Sequence, residues 1–326
     1  MKRKIVKQGG TALTITLPNK WAKKWELKAG DEVEVIEKGK EIIVNSKKTP
    51  SIGKITLDVS GFPSALITRH INAAYKLGYD EIEIKFDNPK VRYTSAKVEY
   101  SSKDRFSYAS EKKEIDTLEL IQTITDRLMG LEIIEQGKGH CIVKELAEIK
   151  EIEFKNVLRK IFLLLDSMFE NNLIYLKEKD KDVPSIIFNI ESNVNKFCHF
   201  CLRILNKNGY EDYTKTQIMY LLVSQLELLG DLLANFIKSE QKNSEKADKN
   251  AIEKCNEARV IFNEFYENFY KFDIEKLKSI YYKNYDNRKK ISDLLNRNNS
   301  VKTLEYCQFI SDSIADLIQS NLDLIF

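Results

Sequence analysis

Seven basic side chains within the first 24 residues are the groups with the clearest chemical potential in this sequence. They fall into two sets, one at the start of the chain and one about a dozen residues later: Lys2, Arg3, Lys4, Lys7, Lys20, Lys23 and Lys24. Cationic groups that neutralise DNA phosphates release counterions, which gives salt-dependent and largely sequence-independent affinity. Because only Arg3 carries the guanidinium that reads guanine bidentately, the pattern predicts binding dominated by phosphate contacts. The alternative is a solvated lysine-rich surface.

The usual sequence signatures of catalysis are missing. The sequence contains no phosphate-binding P-loop, no glycine-rich dinucleotide motif, no H-E-x-x-H motif and no G-x-S-x-G motif. Three scattered histidines leave little capacity for acid–base chemistry at neutral pH. Cys198 and Cys201 form a lone C-x-x-C pair, which on a helix is more typical of a packed core than of a zinc or redox site. We therefore predict that the protein is not an enzyme.

Charge, glycine and proline are distributed unevenly along the 326 residues. Residues 1–48 hold 12 Lys or Arg against six Asp or Glu, whereas the remaining 278 residues hold 40 basic and 43 acidic groups. A small basic head on a mildly acidic body is common where a nucleic-acid reader is joined to a sensing module. Ten of the 12 glycines and four of the five prolines precede residue 140, so the two halves differ in fold class.

Hydropathy and cysteine content bear on the location of the protein. No stretch of about 18 uncharged apolar residues occurs, so no membrane span is predicted, and the first ten residues lack the apolar core of a signal peptide. Five cysteines, an odd number in a long chain, argue against a secreted disulfide framework. These features predict a cytoplasmic protein.

The first 48 residues have the pattern of a small β module with one helix. The predicted strands are Lys4–Val6, Ala12–Leu17, Val33–Glu37 and Glu41–Val44, and the predicted helix is Asn19–Leu27. So short a module buries too little apolar area to be stable alone, which predicts association with a partner.

The residues from Gly10 to Pro18, followed by Trp21, Trp25 and the run from Lys28 to Val35, resemble the AbrB/SpoVT swapped-hairpin DNA-binding domain. Members of that family pair as intertwined dimers whose hairpins carry basic side chains to DNA. The resemblance implies that residues 1–48 form a DNA-binding and dimerisation domain, in which the seven basic residues contact phosphates. Trp21 and Trp25, four residues apart, are expected in the core. The alternative is a dimerisation clip without DNA affinity.

Residues 49–148 alternate between strand and helix patterns and are predicted to form a small α+β connector domain. The predicted strands are Ile52–Val59, Glu81–Phe86, Leu131–Glu135 and His140–Lys144, and the predicted helices are Pro63–Leu77 and Asp116–Met129. This order favours a sheet with helices on one face, and a ferredoxin-like arrangement is the candidate topology.

From residue 140 onward only Pro184, Gly209 and Gly230 interrupt the chain, and an apolar stripe from Phe154 to Phe169 recurs at helical spacing. The residues from Leu226 to Asn235 resemble a helix of PhoU, a phosphate-uptake regulator fold built from two three-helix bundles. A second copy of that helix, from Leu304 to Asp316, lies about 78 residues later. We therefore predict PhoU-like helical repeats at 149–240 and 241–326. A DNA-binding head joined to such a body resembles archaeal-type phosphate uptake regulators.

Carboxylates four residues apart share one helix face, and PhoU-like bundles can hold metal ions through such pairs. Glu227 and Asp231 keep this spacing and would form, with Glu191, a single weak divalent-metal site. The residues that stand where further acids would complete the pattern are Asn195, Phe309 and Lys290. Because most of the anionic ligands are missing, polar contacts between helices are the favoured interpretation, and no cofactor is predicted.

These observations together predict a homodimeric DNA-binding transcriptional regulator with a helical sensing or docking body. The resemblance implies that the regulated process is phosphate uptake. Such a protein acts by equilibrium coupling, because a ligand that prefers one arrangement of the body shifts the DNA-competent population. The alternative is a PhoU-like signalling adaptor that docks a phosphate-transporter ATPase or a signalling kinase, with the head serving only as a dimer clip.

Overall fold

The computed structural model describes residues 2–38, 41–46, 52–92, 114–146, 152–242, 247–297 and 302–325. The chain forms two compact units, Met1–Gly53 and Lys54–Phe326. The predicted domain boundaries after residues 48 and 148 lie outside the described residues, and the predicted boundary after residue 240 falls at the end of a helix.

The N-terminal unit consists of two antiparallel hairpins with a short helix between them. Its elements are β1 (Val6–Gln8), β2 (Ala12–Thr14), α1 (Asn19–Lys24), β3 (Val33–Lys38) and β4 (Glu41–Ser46). β1 pairs with β2, and β3 pairs with β4. The predicted order of elements is confirmed. The predicted start of the first strand at Lys4 is wrong, because only Val6 to Gln8 find partners in β2.

An α+β module opens the second unit. Its elements are β5 (Lys54–Asp58), α2 (Ser64–Leu77), β6 (Glu81–Lys85), β7 (Lys90–Arg92), β8 (Glu114–Asp116), α3 (Thr117–Thr125), β9 (Leu131–Gly137) and β10 (His140–Glu145). Four strands form one sheet in the order β5-β6-β10-β9, with β5 parallel to β6 and the other pairs antiparallel. The ferredoxin-like expectation is wrong. A split βαβ unit has a third strand between its two parallel strands, whereas α2 returns the chain directly beside β5.

One face of this sheet is buried and the other is charged, as period-2 alternation requires. Ile82 and Ile84 of β6 are fully buried, and so are Cys141 and Val143 of β10. Between them, Glu83 accepts hydrogen bonds from Lys54 and Thr56 of β5, and these bonds lower its pKa to about 2. The charged face therefore needs no covering element.

Between residues 152 and 325, the described residues contain six long helices, which form two three-helix bundles. The first bundle contains α4 (Ile152–Glu178), α5 (Val183–Asn208) and α6 (Thr216–Gln241), and the second contains α7 (Lys249–Tyr270), α8 (Ile274–Arg297) and α9 (Lys302–Ile325). The bundles meet where α6 packs against α9 and α4 packs against α7. This arrangement confirms the prediction of two three-helix repeats.

The register of the repeat differs from the expectation. The third helices of the two bundles, α6 and α9, begin at Thr216 and Lys302, which are 86 rather than about 78 residues apart. Leu226 is the eleventh residue of α6, whereas Leu304, the first residue of the predicted second copy, is only the third residue of α9. The two similar runs therefore lie at different positions along their helices, because a run of similar residues does not show where a helix begins.

Burial of the apolar stripe on α4 joins the two bundles. Phe162 and Leu165 are fully buried, and Phe162 lies 5.9 Å from the Phe262 ring and 5.1 Å from the Tyr266 ring, measured between centroids. Arg259 of α7 donates hydrogen bonds to both carboxylate oxygens of Asp166 on α4, at 2.7 and 3.2 Å. Apolar packing and a bidentate ion pair therefore act across the same α4–α7 contact.

One described helical segment, Tyr213–Gln241, is long and apolar enough to cross a membrane by length and composition alone. Half of its most apolar window is buried inside the protein, where α6 packs against α4, α5 and α9. Burial in the helical body explains this apolar composition.

The cysteines differ in role. Cys198 and Cys201 are fully buried in α5, as expected of core residues, and burial raises the pKa of each thiol. Cys255 of α7 and Cys307 of α9 are joined by a disulfide. The cysteine count did not predict this pair, because 52 residues separate its members and only the packing of the second bundle brings them together.

The α+β module is fixed to the first bundle by a buried ionic network that the sequence did not predict. Arg203 of α5 is completely buried and donates to the carbonyl oxygens of Tyr75 at 2.8 Å and Tyr79 at 3.0 Å, at the end of α2. Lys207, one turn further along α5, lies 2.6 Å from Asp80 and 2.7 Å from Glu145, and Glu145 also pairs with Arg203 at 3.0 Å. The two positive charges of this network are therefore offset by two negative charges where the α+β module packs against the first bundle.

Candidate nucleic-acid interface

The first hairpin presents basic side chains on a tight turn. Gly9 has φ of +69°, in the left-handed region where glycine is free of strain, and it allows β1 to turn into β2. The Thr14 hydroxyl donates to the Val6 carbonyl oxygen at 3.1 Å, which supports the strand pairing. This register places Lys7 directly opposite Leu13.

The helix α1 carries the second basic set. It begins after Pro18, whose carbonyl oxygen accepts a hydrogen bond from the Ala22 amide at 2.9 Å. Lys20, Lys23 and Lys24 share one face of this helix, since they are three and four residues apart. Beyond the helix, the Asp31 carboxylate accepts from the Lys28 amide at 2.6 Å and closes the turn into β3.

All seven predicted basic side chains are exposed. Lys7 lies in β1 and three lie on α1, but Lys2, Arg3 and Lys4 precede the first strand rather than belonging to it. Across the part of the chain that the structure describes, none of the seven forms an ion pair with a carboxylate; Lys24 alone has a partner, the Trp25 ring at 5.5 Å. These cations are therefore available to an anionic ligand.

The apolar side chains of the N-terminal unit are unusually exposed for a folded module. Val6, Leu13, Ile15, Val35 and Ile42 are between 57% and 69% exposed. Trp21 and Trp25, expected in the core, are only partly buried within one chain. Burying a large apolar side chain contributes about 1.5–3 kcal/mol, so a single chain leaves much of this stabilisation unused.

The predicted metal ligands lie on α5 and α6, where they contact other side chains. Glu191 is buried, and its carboxylate accepts a hydrogen bond from the side-chain amide of Asn195 at 2.9 Å. Glu227 lies 3.2 Å from the His199 ring nitrogen, and Asp231 follows it one turn along α6. Within the described ranges, no group of three or more His, Cys, Asp or Glu side chains is arranged to hold a metal ion. The site Glu191, Glu227 and Asp231 stays a prediction.

Comparisons with known proteins support the assignment of the N-terminal unit. Residues 6–52 match the family model described as antidote-toxin recognition MazE, bacterial antitoxin. The residues that carry the AbrB/SpoVT resemblance, from Gly10 to Val35, lie within this match, so the MazE/AbrB-like character of the module is confirmed.

The structure of the chain is also similar to the crystal structure of the phosphate transport system regulatory protein PhoU from Streptococcus pneumoniae. That similarity has 18% sequence identity and a TM-score of 0.42, and it covers 52% of this chain and 92% of the PhoU chain. A search of the curated proteins found no match.

Proposed function

We propose that this protein is a cytoplasmic, homodimeric DNA-binding transcriptional regulator whose helical body senses a ligand or docks a partner. The observation that carries the proposal is the set of seven exposed cations, which have no carboxylate partner among the described residues, on a module that matches the MazE family model. Such a surface binds the phosphate backbone, and it does so more weakly as salt concentration rises.

A second copy of the chain is the partner that fits the N-terminal unit. The N-terminal units of two chains each expose Leu13, Ile15 and Val35. Their apolar surfaces can cover one another in a two-fold arrangement. Pairing would bury these side chains and double the number of cations facing one duplex.

Regulation of phosphate uptake is the process that we assign to the protein, from the PhoU-like sequence between Leu226 and Asn235. The predicted boundaries 1–48, 49–148, 149–240 and 241–326 belong to this proposal as well. In the proposed mechanism, an effector that favours one arrangement of the helical body changes the fraction of protein competent to bind DNA.

The test compares two pairs of exposed lysines, each on one helix. In one variant Lys23→Glu and Lys24→Glu are combined in α1, and in the control Lys289→Glu and Lys290→Glu are combined in α8. Binding of a fluorescently labelled duplex is measured by anisotropy at low and at physiological salt. We expect the α1 variant to lose most of its affinity, and the slope of log affinity against log salt to fall by about one for each phosphate contact removed.

The control variant should bind like the wild type. Equal losses from both variants would show that the N-terminal unit is not the DNA surface. Absence of salt-sensitive binding in the wild type would refute the regulator proposal and favour an adaptor that docks a transporter ATPase or a kinase, with the head as a dimer clip.

A further inference from the structure

A cavity of about 600 Å³ opens where α7 turns into α8 beside α4. Arg159 of α4 lines one side of it, and the segment from Tyr266 to Lys276 lines the other. Its size falls within the range of small-molecule sites in proteins, and none of its residues belongs to the proposed DNA surface.

Two cations in the cavity are free to bind an anion. The Arg159 Nε–H donates to the Tyr266 hydroxyl oxygen at 3.0 Å, which orients the guanidinium and leaves its two terminal amino groups for a ligand. Lys271 is exposed at the end of α7. Neither Arg159 nor Lys271 pairs with a carboxylate among the residues that the structure describes.

The acidic residues of the cavity are already engaged. Glu267 pairs with Lys276 at 2.7 Å, and this hydrogen bond lowers the pKa of the Glu267 carboxyl, so the two charges offset each other. Asp273 accepts the Lys276 amide at 2.9 Å and caps the start of α8. The positive charge of Arg159 and Lys271 therefore outweighs the single remaining carboxylate.

Aromatic rings stand beside these cations. Tyr270 is 45% exposed and Phe272 is 42% exposed, whereas Phe162 of the same helical body is fully buried. The Tyr270 ring is held by edge contacts with Tyr266 at 5.5 Å and with Phe162 at 6.1 Å, between centroids. The Arg159 guanidinium lies 5.9 Å from the Tyr270 centroid, within range of a cation–π interaction.

We propose that this cavity binds a nucleoside phosphate. A guanidinium with free amino groups recognises phosphate oxygens bidentately, and exposed rings supply stacking surface for a planar base. The Arg159–Tyr266 hydrogen bond lowers the ordering cost, since the guanidinium is oriented before a ligand arrives. Nucleotide binding in this cavity does not require DNA binding by the N-terminal unit.

Calorimetric titration of the full-length protein tests the proposal with ADP, adenosine and inorganic phosphate as separate probes. ADP should bind at least about tenfold more tightly than either fragment, because it alone uses both the cations and the rings. ADP binding no tighter than that of phosphate would show that the rings contribute nothing and would overturn the nucleotide assignment. Lack of ADP binding would refute the site altogether.

Matched variants locate the binding. Arg159→Gln should weaken ADP binding about tenfold or more, whereas Arg127→Gln, an exposed arginine outside the cavity, should not. Phe272→Ala should weaken binding of ADP but not of phosphate, and Phe309→Ala, which removes a ring that is 50% exposed on α9, serves as its control. Equal losses in a variant and its control would contradict the assignment of the cavity.

Discussion

Replacement of Arg203 by methionine tests whether the α+β module is fixed to the helical body by the buried ionic network. Methionine keeps much of the aliphatic volume and removes the charge. The Tyr79 carbonyl oxygen would lose its hydrogen bond to the guanidinium, and Glu145 would lose one of its two cations. The remaining network would hold two carboxylates against Lys207 alone, which leaves one negative charge uncompensated in a buried place.

The size of the effect follows from the contacts that remain. Removing one partner of a buried ion pair costs about 3–5 kcal/mol. The lower end applies here, because the Tyr75 carbonyl oxygen still accepts from the Gly78 amide at 2.9 Å and Glu145 still lies 2.7 Å from Lys207. A loss of about 3 kcal/mol corresponds to a fall in Tm of about 6–12 °C for a unit of this size.

Thermal unfolding followed by circular dichroism measures this loss, with Arg127→Met as the exposed control. A second variant, Glu145→Gln, restores charge balance in the Arg203→Met background. The double variant should therefore lose less than the sum of the two single losses, with a coupling of about 1–2 kcal/mol. A fall in Tm no larger than that of Arg127→Met, or strictly additive losses, would refute the reasoning.

Two further predictions concern the Asp166–Arg259 ion pair and the cysteines. Burial opposes ionisation of Asp166, but hydrogen bonds from Arg259 and Asn263 lower its pKa overall, so its stabilising effect is present at neutral pH and is lost as pH falls below about 4 through the folded-state pKa. Asp166→Asn should therefore lower Tm at pH 7 by an amount that shrinks on acidification; a difference that does not vary with pH would contradict this. Thiol titration of the unfolded, unreduced protein should give three free thiols, because Cys255 and Cys307 are joined, whereas five would contradict the disulfide. In the folded protein these three thiols should react slowly, since they are buried and burial raises the pKa of Cys141, for example, to about 11.

Local patterns alone predicted most elements of the fold. The alternation of Glu81 to Phe86 and the helix ending at Gly78 were predicted within one or two residues, because strand period and left-handed glycine act over a few residues. The spacing of the two repeats in the helical body was predicted less accurately, since a run of similar apolar residues does not show where each helix begins.

The candidate DNA surface could likewise be predicted from the sequence, whereas the cavity beside Arg159 could not. Lys20, Lys23 and Lys24 are close in the chain, so their density of charge is visible before any folding is known. Arg159 and Tyr266 are 107 residues apart, and no spacing rule connects them. Only the packing of α4 against α7 brings the guanidinium to the rings.

The sequence by itself determined the basic N-terminal module, the order of the strands and helices apart from the short pair β7 and β8, and the division into a β-containing half and a helical half. Each of these depends on residue type, turn chemistry and periodicity within a short window. The tertiary structure decided that β6 lies beside β5, that Cys255 meets Cys307, and that Arg203 is buried against carbonyl oxygens 128 and 124 residues away. Contacts of that kind arise when whole apolar faces pack together, and many distant pairings are compatible with one local pattern until the packing selects among them.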